Sequence, residues 1–556
     1  MRHNSVIARR SRPFQDWQIQ SCGIVFFVIT VIQPCVDRHR NGNIKLVANG
    51  VWVINKSKRK GMGKHEDAHA LKEARRLKNA DNWKHLARWH GDGYYTLATE
   101  DTGDVPVRLF LTAKLLKETE EIIYRQIINA TRFPGVKCVV ITPDTHYGYG
   151  VPVGCVLMTD ADSGAVAMGP VGYDIGCGMV SARSDVPVDA ATPEKRLAFN
   201  RTVMERVEFG AGGKSIKLKH LNRSEFDNLV RGGAEYYVEK YGALFDRSRA
   251  ERHRLPVDDD WQPPFGGKGQ PERGMQQLGS LGGGNHFIEL QRCEETGTLF
   301  VQAHTGSRGW GHGLATNYFE MARAEKPDRI TDIDLGYFTP ESAHYRDYLN
   351  AVAAGGNFAI LNRLIIFEQV AAAFRDVFGG DLELIYEISH NLVQREQHPE
   401  FGDVWVHRKG ATRAFPAHHP ALDGTLWEET GHPVLIPGSN KDWSYILRPQ
   451  AGAVTSGYSV NHGAGRRLSR GEASRSLNQR EIDREYREAG IVVNANGHVP
   501  IDEAAPCYKP AEEVIEAVVG AGLATIEYRL WPLASLKGED ARRGRKKKVK
   551  KSSTHF

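Results

Sequence analysis

His462 lies between a short polar residue and a glycine-rich turn in the segment Val460-Asn461-His462-Gly463-Ala464-Gly465-Arg466. Glycines let backbone N–H groups approach a phosphate closely, and the guanidinium of Arg466 offers a fork for phosphate oxygens. A histidine held there could attack a phosphorus atom and carry a nucleotide through a covalent intermediate. Small-residue turns with an incidental histidine are also common in loops, so this segment alone leaves both interpretations open.

Five further residues have the side chains of metal ligands. Asp174 and Cys177 are three positions apart, and His286, His304 and His390 each lie beside small residues. Carboxylate, thiolate and imidazole groups all bind metals, and a thiolate sulfur can bridge two ions, so the set suits a two-metal site. A buried structural histidine is the alternative for each position taken singly. Softness favours zinc, whereas manganese prefers oxygen, so the residue types leave the metal open.

Three other segments combine cations or hydroxyl groups with small residues. Residues 407–413 (HRKGATR) hold three cations and a threonine around a glycine, a composition that suits phosphate, although a solvated loop explains it equally well. The loop 437–440 (PGSN), with Ser444 after it, could hold a ribose or a phosphate. Residues 502–509 (DEAAPCYK) end in a lysine, and an ordinary surface turn is the alternative there.

The elements around these residues follow from the hydrophobic pattern. Val136–Ile141 predicts a short buried strand that leads into a loop carrying Asp144, and Thr298–Gln302 predicts a strand before His304. His390 follows another apolar strand. Helices are expected in the charged segment Asp67–Arg88, at Thr112–Ile128, at Glu225–Phe245 and in the alanine-rich segment Tyr348–Phe378, with a solvent-facing loop at 258–274.

The segments that carry candidate catalytic and binding residues follow one another without a flexible linker, which predicts one catalytic domain over residues 62–540. Residues 1–61 are expected to form an extension outside the core. Their apolar run, Gly23–Ile32, is shorter than the roughly 18–20 residues of a membrane span. A secretory signal is one interpretation of the extension, and a start codon placed upstream of Met62 is the preferred one. Residues 541–556 are expected to form a basic disordered tail, with contact to RNA phosphates as a second possibility.

Composition indicates a soluble globular protein: 41% of the 556 residues are hydrophobic and 25% are charged. The net charge of +6 is distributed unevenly, with +9 in residues 1–61 and +8 in residues 541–556, which leaves residues 62–540 at −11. A generally cationic nucleic-acid-binding surface is therefore excluded for the globular part. The seven cysteines are scattered without the spacing of a disulfide framework, which predicts a reducing, cytoplasmic location.

Nine motifs taken in chain order resemble the RtcB family of RNA-splicing ligases: PDxHxGYG, DIGCGM, LGGGNHFIE, HxGSRG, SHN, RKGAT, PGS, HGAGR and DEAAPxYK. The resemblance runs from about Pro143 to Lys509, with Met62–Ile141 as the N-terminal part. It implies a mixed α/β (α+β) fold particular to this family, with a central sheet core, surrounding helices and one large catalytic unit. It also implies GTP-dependent joining of an RNA 3′-phosphate or 2′,3′-cyclic phosphate to a 5′-hydroxyl, in tRNA splicing or RNA repair.

The cofactor, intermediate and partners also come from the resemblance. It implies two Mn²⁺ ions, GTP as co-substrate, a covalent histidine–GMP intermediate and archease as an activating partner, in a protein expected to be a monomer. Asp174, Cys177, His286, His304 and His390 correspond to the ligands of the two-manganese centre, with Cys177 bridging. His462 corresponds to the nucleophile, and Asp144 corresponds to the carboxylate that orients it.

The family's guanine-nucleotide contacts fall on a longer set of residues. They are Asn285, His286, Phe287, Ile288, Glu289, His390, Asn391, Pro437, Gly438, Ser439, Asn440, Ser444, His462, Gly463, Ala464, Gly465 and Lys509. Arg308, Lys409 and Arg413 are candidates for contacts to RNA phosphates.

Two departures from the family pattern could alter how the nucleotide or the RNA end is positioned. Asn440 replaces a usual methionine, and Val460-Asn461 replaces small residues that often include a cysteine. A metal-dependent RNA-end phosphodiesterase or phosphatase, and a non-catalytic RNA-binding homologue, are the alternative functions.

Overall fold

The structure is a computed structural model that describes residues 77–538, except 211, 215–217, 219, 243–248, 250–253 and 264–270, together with three short strands nearer the N-terminus. The chain divides into two compact units, Met1–Asp67 and Ala68–Phe556. In the first unit, strands β1 (Val36–Arg38), β2 (Ile44–Ala48) and β3 (Val51–Trp52) form an antiparallel sheet in the order β1-β2-β3. The apolar run Gly23–Ile32, the predicted boundary after residue 61 and the basic tail 541–556 lie outside the described residues.

The second unit contains both strands and helices. Its strands in chain order are β4 Arg88–His90, β5 Tyr94–Thr96, β6 Val107–Leu109, β7 Val136–His146, β8 Val153–Asp160, β9 Val166–Ala167, β10 Gly178–Pro187, β11 Phe287–Cys293, β12 Thr298–Thr305, β13 Tyr337–Phe338, β14 Glu383–Ser389, β15 Asn391–His398, β16 Gly402–Lys409, β17 Ala411–Arg413, β18 Val434–Ile436, β19 Ser444–Pro449, β20 Ser459–Asn461, β21 Val492–Val493 and β22 Ala524–Lys537.

The α-helices described in the second unit are α1 Trp83–Leu86, α2 Ala113–Glu118, α3 Ile123–Ala130, α4 Pro193–Arg206, α5 Arg223–Tyr241, α6 Pro271–Gln277, α7 Arg308–Glu325, α8 Tyr345–Phe378, α9 Arg470–Ser476, α10 Gln479–Glu488 and α11 Ala511–Gly520. Short 3₁₀ turns occur at Val188–Ala190, Ile333–Leu335, Pro420–Leu422, Ala451–Ser456, Ile501–Glu503 and Ala505–Cys507.

Two large sheets organise this unit. One has the strand order β14-β10-β12-β11-β22-β19-β18, with β21 pairing alongside β22. The other has the order β15-β16-β8-β7-β6-β5-β4. Two-stranded sheets join β13 to β9 and β17 to β20. The large sheets together with the flanking helices confirm the predicted mixed α/β fold with a central sheet core.

Strand β7 is buried on both of its faces, to which successive side chains point alternately. On β7, Val139 and Ile141 belong to the core that also includes α8. Cys138 and Val140, from the opposite face of β7, belong to a second core with Met179 of the other large sheet. The uninterrupted apolar run in β7 is therefore the pattern expected of a strand buried on both sides.

The long helix α8 is the core helix predicted from the alanine-rich segment. Within the described part of the chain it is the one helix with the length and hydropathy of a membrane span, and 89% of its apolar window is buried inside the protein. Its position is that of a core element. The described cysteines, Cys138, Cys155, Cys177, Cys293 and Cys507, are all buried and free, as expected without a disulfide framework.

Several predicted elements differ in extent from those observed. The strand expected over Val136–Ile141 continues to His146, so Asp144 lies on β7 and not in a loop. The helix expected over Thr112–Ile128 is two helices, α2 and α3, because Thr119 leaves the helical conformation. In the described part of the charged segment before Arg88, only the four residues of α1 are α-helical, and α6 begins inside the predicted loop 258–274.

Candidate active site

Four neighbouring strands bring the predicted metal ligands to one edge of the sheet. Cys177 immediately precedes β10, His286 immediately precedes β11, and His390 lies between β14 and β15. His304 is the penultimate residue of β12. In the order β14-β10-β12-β11 each strand is antiparallel to its neighbours, so the ends of β12 and β14 lie beside the starts of β10 and β11. The sheet order thus gathers residues that are far apart in the sequence.

The ligand atoms form two clusters that share one sulfur. Cys177 Sγ lies 3.2 Å from Nε2 of His304, and that nitrogen lies 3.2 Å from Nε2 of His390. On the other side, Cys177 Sγ lies 3.6 Å from Nε2 of His286, which is 3.1 Å from Oδ2 of Asp174. Each trio has its donor atoms within 4.8 Å of one another. Cys177 therefore occupies the place of a bridging ligand between two cation sites.

Hydrogen bonds orient two of the imidazoles for metal binding. His286 Nδ1 donates to the carbonyl oxygen of Leu281 at 3.0 Å, and His304 Nδ1 donates to that of Asn285 at 3.1 Å. For His304, a proton on Nδ1 leaves the lone pair of the ring on Nε2, the nitrogen that lies 3.2 Å from Cys177 Sγ. A hydrogen bond from the ring nitrogen that does not face the metal is the arrangement expected of a metal-bound histidine.

The protonation states fit the same interpretation. Burial and the neighbouring imidazoles lower the pKa of His304 and His390 well below the usual value, so both rings are neutral. Burial raises the pKa of Asp174, but the hydrogen bond and charge of His286 outweigh it and bring that pKa to about 2. Burial and Asp174 raise the pKa of the Cys177 thiol, an effect that a bound cation reverses. The donor set fits two metal ions.

Gly306 explains how the carboxylate of Asp174 reaches this edge. A Cβ at position 306 would lie 2.4 Å from both carboxylate oxygens of Asp174, so a larger residue would displace the side chain. The backbone N–H of Ser307 donates to Asp174 Oδ1 at 3.0 Å, which leaves Oδ2 directed at His286.

His462 is held by a buried carboxylate. Asp144 Oδ2 accepts hydrogen bonds from Nδ1 of His462 at 2.6 Å and from its backbone N–H at 3.0 Å, while Thr142 donates to Oδ1 at 2.6 Å. Burial raises the pKa of Asp144, but the charge of His462 and these hydrogen bonds outweigh it and hold that pKa below the usual value. In the neutral ring the proton therefore lies on Nδ1, and the lone pair lies on Nε2.

The glycine-rich turn after His462 is required by this contact. Gly465 has a φ of 77°, and a Cβ there would lie 2.1 Å from the carbonyl oxygen of Asp144. The ring of His462 lies 4.8 Å from that of His390, in an edge-to-face arrangement. The predicted nucleophile is thus next to the predicted metal ligands.

A cavity of about 410 Å³ joins these groups. Of the predicted metal ligands and catalytic pair, Asp174, Cys177, His304, His390 and His462 line it, while His286 and Asp144 lie behind them. The predicted nucleotide contacts that line it are Asn285, Phe287, His390, Asn391, Pro437, Gly438, Ser439, His462, Gly463, Ala464 and Gly465.

The other predicted nucleotide contacts lie behind this lining. Ile288 is packed in the core that includes α8. The hydroxyl of Ser444 accepts the N–H of Gly438 at 3.0 Å and so supports the loop that lines the cavity. Burial raises the pKa of Glu289 to about 7, although a hydrogen bond from Gln291 and the charge of Lys537 oppose that shift.

Lys509 is placed as a brace. Its Nζ donates to the carbonyl oxygens of Pro143 at 3.2 Å and Thr145 at 2.6 Å, on either side of Asp144. Burial lowers the pKa of Lys509 to about 8, while the charge of Asp144 opposes that shift. The lysine therefore stabilises the strand segment that presents the carboxylate of Asp144.

Of the three candidates for RNA phosphates, Lys409 lines the cavity. Arg308 is buried and donates to the carbonyl of Gly210 at 3.0 Å. Arg413 is buried with its guanidinium 4.7 Å from the centre of the Phe415 ring. The structure brings Lys409 to the site and leaves the two arginines outside the lining.

Three cations lie together at the cavity, and the sequence predicted a phosphate contact for one of them, Arg466, but not for Arg470 or Lys537. Arg466, Arg470 and Lys537 line it and converge on the buried carboxylate of Glu503, at 3.3, 3.0 and 3.7 Å. One carboxylate among three cations leaves this end of the cavity positively charged, which suits phosphate groups. Arg470 closely follows the glycine-rich turn, a signal that could have found it. Lys537 ends β22, and nothing in its neighbourhood in the sequence points to the site.

The two departures from the family pattern are accommodated locally. Asn461 donates from Nδ2 to the carbonyl of Gly463 at 2.8 Å and so supports the turn, and Val460 is buried in the second core. Asn440 accepts a hydrogen bond from the hydroxyl of Tyr486. None of the three residues displaces a predicted reacting group.

Comparison with known proteins identifies the family. Residues 126–538 match the sequence profile of the family described as tRNA-splicing ligase RtcB. The chain belongs to the RtcB family. The resemblance drawn from nine motifs is thereby confirmed. The RtcB match contains both predicted catalytic residues, all five predicted metal ligands and every residue that lines the cavity.

Individual RtcB proteins match over nearly their full length. The tRNA-splicing ligase RtcB of Pyrobaculum aerophilum is 35% identical over 469 residues, which cover 78% of this chain and 95% of the relative. That of Thermococcus kodakarensis is 34% identical over 463 residues, with 78% and 95% covered. The RNA-splicing ligase RtcB of Mycobacterium tuberculosis is 36% identical over 436 residues, which cover 74% of this chain and all of the relative.

Proposed function

We propose that this chain is an RNA ligase that joins a 3′-phosphate or 2′,3′-cyclic phosphate end to a 5′-hydroxyl end, with GTP and a covalent His462–GMP intermediate. The observation that carries the proposal is the pairing of His462 with buried Asp144 beside the Cys177 cluster. Family membership and the names of the relatives, which describe RNA-splicing and tRNA-splicing ligases, support the RNA substrate.

The metal centre would be held by Asp174, Cys177 and His286 on one side and by Cys177, His304 and His390 on the other. The choice of Mn²⁺ rests on the family resemblance. Two such ions, when bound, supply positive charge that lowers the electrostatic cost of attack on phosphate groups. The neutral imidazoles of His304 and His390 and the shared thiol of Cys177 are contributions of the chain itself to that centre.

In the first step, Nε2 of His462 attacks the α-phosphorus of GTP. The nitrogen–phosphorus bond forms, the bond from the α-phosphorus to its bridging oxygen breaks, and pyrophosphate leaves with that electron pair. Asp144 keeps the proton on Nδ1 and stabilises the positive charge that develops on the ring, the role of a carboxylate beside a catalytic histidine. The cations around Glu503 would bind the charged phosphates.

In the second step, an oxygen of the RNA 3′-phosphate attacks the guanylyl phosphorus, and the bond to His462 breaks. In the third step, the RNA 5′-hydroxyl attacks the activated 3′-phosphorus, loses its proton to water and displaces GMP. A 2′,3′-cyclic end must first be hydrolysed to a 3′-phosphate.

Labelling separates this function from its rivals. With α-labelled GTP and Mn²⁺, we expect label on the protein that acid removes, and joined RNA once 3′-phosphate and 5′-hydroxyl ends are supplied. His462→Ala should abolish the label, whereas His498→Ala, at a half-exposed histidine outside the cavity, should retain it. RNA-end hydrolysis without protein-bound label would indicate a phosphodiesterase or phosphatase. Binding of RNA with neither activity would indicate a non-catalytic homologue.

A dependence of joining on archease remains a prediction of the resemblance.

A further inference from the structure

Aromatic side chains form part of the cavity wall near the metal-ligand cluster. Tyr149, Tyr173 and Phe319 line the cavity, and Tyr149 is 60% exposed. The rings of Tyr149 and Tyr173 meet edge to face at 5.7 Å. The nucleotide chemistry proposed above uses none of these rings.

The side chain of Tyr173 is held in place by α7 and by Asp334. His312 and Phe319 are seven positions apart on α7, so both present their rings to the same side of that helix. The Tyr173 ring stacks on His312 at 5.1 Å and contacts Phe319 at 4.8 Å. Its hydroxyl donates to Oδ1 of Asp334 at 2.6 Å. The ring therefore has one orientation before any ligand binds.

Tyr149 lies on a turn that is held by hydrogen bonds despite the exposure of its side chain. Its carbonyl accepts from Nζ of Lys409 at 2.6 Å and from the N–H of Val151 at 2.8 Å. Asn129 donates to the carbonyl of Gly150 at 2.8 Å. An exposed aromatic ring on a fixed backbone loses little conformational freedom when a flat ligand stacks on it.

The position of this wall relates it to the reacting phosphate. Tyr173 directly precedes Asp174, a predicted ligand of the metal centre. Lys409 is buried and donates from Nζ to the carbonyls of Tyr149 at 2.6 Å and Val151 at 3.0 Å, and it also lines the cavity beside the Tyr149 turn. A cation next to aromatic rings is the combination with which proteins bind single-stranded nucleic acid, because the cation contacts the phosphate and the rings stack on bases.

We propose that Tyr149, held edge to face against the fixed ring of Tyr173, forms a stacking platform for the unpaired base of the RNA nucleotide that carries the 3′-phosphate. The proposal rests on the proposed function and adds to it a requirement for a base at one nucleotide. Stacking is tolerant of base identity because every base has an aromatic face. The platform therefore selects single-stranded ends without selecting a sequence.

The test is a double-mutant cycle in which the aromatic ring is removed from the protein and the terminal base is removed from the RNA. Full-length protein in Mn²⁺ is titrated with two single-stranded RNAs that end in a 3′-phosphate, one with a normal terminal nucleotide and one abasic at that nucleotide. The variants are Tyr149→Ala, Tyr149→Phe and, as the matched control, Trp89→Ala. Trp89 is 58% exposed and does not line the cavity.

Tyr149→Ala should weaken binding of the normal RNA by about tenfold, the scale of one base stacked on one aromatic ring. It should leave binding of the abasic RNA within about twofold of the wild type. Tyr149→Phe and Trp89→Ala should bind both RNAs like the wild type. Equal weakening for both RNAs, or no weakening for either, overturns the platform.

Protein labelling with α-labelled GTP, measured on the wild type in parallel, separates this proposal from the ligase itself. Labelling and joining without the base-dependent loss would leave the ligase and remove the platform. Base-dependent binding without labelling would leave the platform and remove the ligase. Retention of the wild-type thermal unfolding midpoint in Tyr149→Ala shows that the comparison concerns a folded protein.

Discussion

Oδ2 of Asp144 lies 2.6 Å from Nδ1 of His462, although 318 positions separate the two residues in the chain. The same oxygen also accepts the backbone N–H of His462. One buried carboxylate thus fixes both the position of the backbone and the tautomer of the ring. This contact makes Nε2 available for attack and connects the glycine-rich turn to β7.

Replacement of Asp144 by asparagine tests the tautomer. Asp144→Asn keeps the shape of the side chain but removes the charge that stabilises the ring when it becomes positive. We expect the single-turnover rate of protein labelling by α-labelled GTP to fall by about 10²- to 10⁴-fold. Asp403→Asn, in an exposed ion pair with Arg395, is the control and should label normally. A rate within threefold of wild type for Asp144→Asn would refute the role of the carboxylate.

Cys177 is the shared member of both ligand clusters, so its loss should affect two ions and not one. We expect Cys177→Ala to bind clearly less Mn²⁺ than the roughly two ions per chain predicted for the wild type. Elemental analysis after gel filtration measures this. Cys155→Ala removes another buried thiol, from the core that includes α8, and should keep the wild-type content. Equal metal content in both variants would exclude the bridging role.

Substitution of Lys509 tests whether this residue supports the backbone around Asp144 or contacts the nucleotide. Because Nζ donates to the carbonyls on both sides of Asp144, Lys509→Met should slow labelling and lower the thermal unfolding midpoint. The KM for GTP should change by less than about threefold, since the amine does not line the cavity. The single-turnover rate of labelling, measured over a range of GTP concentrations, gives the maximal rate and an apparent KM for GTP. A rise in KM with an unchanged maximal rate would instead support the nucleotide contact that the family resemblance implies.

Glu289 gives the stability a pH dependence of defined sign. Burial raises its pKa to about 7, above the ordinary value of 4.5. Stability from the protonated form is therefore fully present below pH 4.5 and is lost as the pH rises through 7. Glu289→Gln removes this loss, so its thermal unfolding midpoint relative to wild type should increase between pH 5 and pH 8. A constant difference between the two proteins across this range would contradict the raised pKa.

The sequence by itself determined the reacting residue types and the local backbone that some of them need. The glycines at 463–465 were predicted to let the backbone approach a phosphate, and that contact stays a prediction. The structure gives Gly465 a separate role, because it has a positive φ and lies against the carbonyl of Asp144. The long helix α8 and the apolar strands before His304 and His390 were also predicted, since hydrophobic periodicity is a local property.

Only the tertiary structure decided which of these residues meet. Strand order and register place Cys177, His304 and His390 at one edge, and a shift of one residue would turn a side chain to the other face. The same long-range packing turned Lys509 into a brace, buried Arg308 and Arg413, and brought Lys537 to the cavity from the end of β22. Such placements depend on contacts between distant segments, which no local pattern of residues specifies.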